Sequence, residues 1–61
     1  MAPLEIRLRA AVAKRLGQDF DAVTVARWIK SAYGDVPVFA VPESCVTQAS
    51  ELGLTVERVQ A

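Results

Sequence analysis

One cysteine and no histidine set the strongest limit on what this chain can become. Sixty-one residues bury only about 60% of the surface that the unfolded chain exposes, and chains of this size usually add a disulfide, a metal or a partner subunit. Cys45 has no second cysteine to pair with, and without histidine a Cys/His zinc site cannot form. A tight core or association must do the work instead. Apolar residues make up 52% of the chain, enough for a core and generous for a lone monomer, so a homodimer is favoured.

The same lone cysteine points to a reducing compartment, and the charges between Met1 and Arg9 interrupt the apolar stretch that a secretory leader needs. The expected location is the cytoplasm. No apolar run approaches the roughly 20 residues of a membrane span, and prolines break the uncharged stretch Val36 to Pro42. Net charge is zero but unevenly spread: residues 1–30 carry six cations against three anions, residues 31–61 one cation against four anions. Such a dipole suits an anionic partner, head-to-tail association, or simply solvated faces.

Leu4, Leu8, Ala11, Val12 and Leu16 recur at spacings of three and four, which predicts a first helix over about 3–16. Pro3 suits its first turn and Gly17 its close. Asp19 and Asp21 can each cap a second helix, in which Ala22, Val25, Ala26, Ile29, Ala32 and Tyr33 share one face and Gly34 supplies the stop. The β-branched run Val23-Thr24-Val25 also alternates well enough to pass for a strand. Val36 to Val41 reads as a strand, placed at a sheet edge because Pro37 lacks a donor. A third helix over Glu43 to Leu52, with Cys45, Ala49 and Leu52 inside, and a final segment over Leu54 to Val59, a strand by its alternation or one short turn capped by Thr55, complete the chain. The expected architecture is α+β, a small single domain over residues 1–61 with two N-terminal helices followed by strand, helix, strand. Leu8, Val12, Leu16, Val25, Ile29 and Leu52 are its expected core.

The residue inventory argues against an enzyme. There is no histidine to act as a base near neutral pH, no glycine-rich phosphate loop, and no carboxylate cluster with metal-ligand spacing. Asp19 and Asp21 read as helix caps rather than a catalytic pair, and Cys45 as a small buried residue rather than a nucleophile. No cofactor is expected.

The segments Ala11-Val-Ala-Lys-Arg-Leu-Gly17 and Thr24-Val-Ala-Arg-Trp-Ile-Lys30 resemble the helix-turn-helix of the phage Cro and repressor type. In that family a first helix ending Ala-x-x-x-Gly leads into a second that enters the major groove. The resemblance implies a transcription regulator that binds double-stranded DNA. Its base-reading positions would fall on Thr24, Arg27, Trp28 and Ser31, with Lys14, Arg15 and Lys30 on phosphates. The competing class is a non-catalytic protein-interaction module, an adaptor or inhibitor, presenting Trp28, Tyr33 and the Val36–Val41 edge strand. A sequence pI near 6.1 argues against the first class, because nucleic-acid domains are usually basic, but the resemblance keeps DNA binding as the leading expectation.

Overall fold

The computed structural model describes residues 3–58. Helix α1 (Leu4–Leu16) begins after Pro3, carries Glu5 in its first turn and Lys14 and Arg15 in its last, and so complements its own dipole at both ends. Gly17 closes it with φ 67°. The Gln18 N–H then donates to Ala13 O at 2.9 Å and the Gly17 N–H to Lys14 O at 3.2 Å, the two bonds of a Schellman cap. The inner face of α1 buries Val12, Ala13 and Leu16, with Leu8 half-buried on the same line.

From here the chain departs from the expected order. Asp19 does start a helical turn, but it is one 3₁₀ turn, Phe20–Ala22, which ends at Val23 in extended conformation. Arg9 holds this crossing from α1: its Nε donates to Val23 O at 2.7 Å, and its guanidinium lies 4.1 Å from the centre of the Phe20 ring. Strand β1 (Thr24–Ser31) follows and pairs antiparallel with β2 (Gly34–Val41). The expected second helix is therefore a strand and half of a hairpin. The β-branched residues Val23, Thr24 and Val25 favour extended backbone, and pairing with Val36–Val41 outweighs the helix preference of Ala26 and Arg27.

Gly34, expected to stop a helix, instead takes φ 117° where the hairpin turn re-enters β2. A 3₁₀ turn (Glu43–Cys45) leads into helix α2 (Val46–Glu51), and β3 (Val56–Arg58) returns parallel to β2. The strand order is β1-β2-β3. The result is a small α+β domain in the order helix, strand, strand, helix, strand, which corrects the expected two N-terminal helices followed by strand, helix, strand. The expected last strand reached Val59, which lies outside the described residues.

Strand β2 is the central strand, not an edge. Pro37 is tolerated there for a directional reason. The Phe39 N–H donates to Thr55 O at 2.9 Å, toward β3. Backbone donors alternate sides along a strand, so the donor that Pro37 lacks would also face the β3 side. Described pairing with β3 begins only at Phe39, opposite Val56, so no ladder bond is lost.

One face of the sheet carries both helices. Val23, Phe39, Val41, Cys45 and Ala49 join the α1 stripe in a single core, with Val25, Val46, Leu54 and Val56 packed around it. Of the six expected core residues, Val12 and Leu16 are buried and Leu8 and Val25 half-buried, but Ile29 and Leu52 are 43% and 39% exposed. Leu52 sits past the end of the short α2, and Ile29 points from the sheet face that carries no helix. No helix among the described residues is long and apolar enough to cross a membrane.

Candidate interaction surface

The register of the hairpin fixes which side chains share a face. Between Val25, opposite Phe39, and Arg27, opposite Val38, the ladder skips Ala26, a β-bulge that adds one residue to β1. Val25 lies on the helix side with Phe39. Beyond the bulge, Arg27 and Ile29 lie on the open side with Val38 and Val36, while Trp28 and Lys30 lie on the helix side opposite Pro37 and Asp35.

Thr24, Arg27 and Ser31, three of the expected base-reading residues, thus share a face, and it is the open face of a sheet. On that face Arg27 is engaged with Glu57: Arg27 Nη1 lies 3.4 Å from Glu57 Oε2, with Arg27 opposite Val38 on one flank and Glu57 opposite Ala40 on the other. The ion pair strides over the central strand, and beneath it Val38 is only 1% exposed although no helix covers this side. Both partners remain in contact with water, so the pair stabilises by under about 1 kcal/mol. A double-mutant cycle with Arg27→Ala and Glu57→Ala should return a coupling in that range and decline with added salt. A coupling above about 2 kcal/mol would show a desolvated pair.

From Arg27 to Val36 the hairpin runs beyond the core as a two-stranded arm. Every residue of β1 from Ala26 to Ser31 is exposed, as are the turn and the first three residues of β2. Ser31 pins the turn, its Oγ donating to Gly34 O at 2.6 Å and accepting from the Tyr33 N–H at 3.2 Å. The arm is nonetheless apolar: Trp28 is 42% exposed, Val36 37%, and Tyr33 fully exposed at the tip. Exposed apolar side chains clustered in this way mark contact surfaces.

The outer edge of β1 adds backbone groups to this surface. Because the Phe39 donor faces β3, Phe39, Pro37 and Asp35 direct their backbone groups away from β1. Their antiparallel partners are then non-hydrogen-bonded pairs, in which both residues turn their N–H and C=O outward. Trp28 and Lys30 are such partners. They offer free N–H and C=O groups on an edge that no described strand pairs with.

The remaining expected contact residues, Lys14 and Arg15, sit exposed in the last turn of α1, away from the arm in sequence and on a different element. Arg15 is the one charged residue lining an open apolar groove of about 340 Å³, bounded by Leu8, Val12, Pro37, Phe39 and Leu54 among others. The helix pair that a helix-turn-helix requires does not occur among the described residues. Ile29, assigned to the core from its helical spacing, is part of the exposed surface, as is Val36. Among the described residues no group of three or more His, Cys, Asp or Glu side chains could hold a metal ion, and the one cysteine, Cys45, is buried and unpaired. No family model, no curated protein and no solved structure matches the chain.

Proposed function

We propose that this chain is a non-catalytic protein-interaction domain that binds a partner polypeptide through the outer edge of β1 and the apolar hairpin arm. The observation that carries the reading is the conjunction of outward N–H and C=O groups on Trp28 and Lys30 with exposed Trp28, Ile29, Tyr33 and Val36 around them. An edge strand supplies affinity through backbone hydrogen bonds, and flanking side chains supply selectivity. Buried, unpaired Cys45 suits a cytoplasmic setting. Double-stranded DNA is a weaker candidate: Thr24, Arg27 and Ser31 lie on a strand, and Arg27 shares its face with the anionic Glu57.

Site-specific photocrosslinking tests this. A benzophenone side chain in place of Tyr33 should yield protease-sensitive adducts in cell extract, and the same group in place of Lys14 should not. Adducts absent at position 33, or nuclease-sensitive adducts at position 14, would overturn the proposal.

A further inference from the structure

We infer that the polypeptide bound by this edge is a second copy of the chain, paired antiparallel β1 to β1 about a two-fold axis at Ile29; the inference rests on the interaction surface proposed above and names its occupant. The arm gives the first reason. It is a two-stranded ribbon whose residues are all exposed, a structure of marginal stability by itself, and joining two arms edge to edge makes a four-stranded one.

The register follows from which groups face outward. Only Trp28 and Lys30 turn their backbone groups out along the arm, so hydrogen-bonded pairs in a symmetric dimer must be drawn from these two. Pairing Lys30 with Lys30 of the second copy would set like charges directly opposite each other, which is destabilising. Pairing Trp28 with its own copy would bring Lys30 opposite Ala26, where the bulge breaks the ladder. Pairing Trp28 with Lys30 of the second copy avoids both faults. Each such pair exchanges two backbone bonds, and each sets an ammonium beside an indole on the helix side of the sheet. Lys30 has no ion-pair partner among the described residues and is free for that contact. On the open side the same register places Ile29 against Ile29, flanked by its cross-strand neighbour Val36 in each copy. Val36, Ile29 and their copies then form one apolar stripe through the axis on the open side, and Lys30, a residue that ordinarily discourages edge pairing, selects the register instead.

Sedimentation equilibrium with the full chain should show a mass rising from 6.6 kDa toward twice that value with concentration. The melting temperature should rise in parallel. Ile29→Asp, which sets two carboxylates face to face on the axis, should hold the protein monomeric with an unchanged circular dichroism spectrum, since Ile29 is surface-exposed in the monomer. In a Cys45→Ala background, Ile29→Cys should form an intermolecular disulfide under mild oxidation and Lys30→Cys should form far less. A monomer at all concentrations up to millimolar would overturn the inference, as would a dimer that survives Ile29→Asp or crosslinks more readily through position 30. Because the photocrosslinking at position 33 scores any protein partner, a monomer that still forms adducts with other proteins would remove the self-pairing and leave the interaction surface standing.

Discussion

Phe39→Ala should leave the chain without a cooperative unfolding transition at 25 °C. Phe39 is buried in the central strand, opposite Val25 on one side and Val56 on the other, and packs in the core shared by both helices. Truncating a buried phenylalanine costs about 3–5 kcal/mol. At about 0.05–0.15 kcal/mol per residue, a domain this short has about 3–9 kcal/mol in total. The loss is of the same size as the whole. Urea titration followed by circular dichroism should show at most a shallow, non-sigmoidal change, and a sigmoidal transition destabilised by less than about 1 kcal/mol would show that the core lies elsewhere.

Leu16→Ala should destabilise by about 2–5 kcal/mol, because Leu16 is buried in the last turn of α1 where the helix meets the rest of the core. Leu4→Ala is the matched control. Leu4 belongs to the same helical pattern but is 60% exposed, so its loss should fall within about 0.5 kcal/mol. Equal effects in a melting experiment would mean that α1 packs through a different face, and the burial of Val12, Ala13 and Leu16 would have to be abandoned with it.

The parts of the fold that the sequence made legible are those whose signals are local. The α1 stripe, its Gly17 close, the turn after Pro42 and the inner placement of Cys45 and Ala49 each follow from side chains within a turn or two of one another. Residues 22–33 failed for a specific reason. A regular strand alternates every second residue, so Thr24, Arg27 and Ser31 would not lie on one face. The bulge at Ala26 inserts one residue and restores them to a common side, producing the spacing of three and four that a helix also gives.

A bulge is settled by the partner strand, and that partner is not visible in a local window. The same blindness placed β2 at an edge, since the reason a central strand tolerates Pro37 is that described pairing with β3 starts two residues later. For the surface, Trp28, Tyr33, Lys30 and Arg27 were all singled out from their types and positions. Their arrangement was not legible, because outward and inward backbone groups exist only once β1 has paired. Ile29 was missed outright, its helical spacing having assigned it to the core.

The hairpin and its free edge carry the whole functional account, and residue-resolved amide hydrogen exchange reads both at once. In dilute solution the Ile29 amide, directed at β2, should exchange slowly, while the Trp28 and Lys30 amides on either side exchange near the rate of an unfolded chain. Raising the protein concentration should slow Trp28 and Lys30 and leave Ile29 unchanged. Uniform protection of Trp28, Ile29 and Lys30 at every concentration, as in the interior of a helix, would contradict the account.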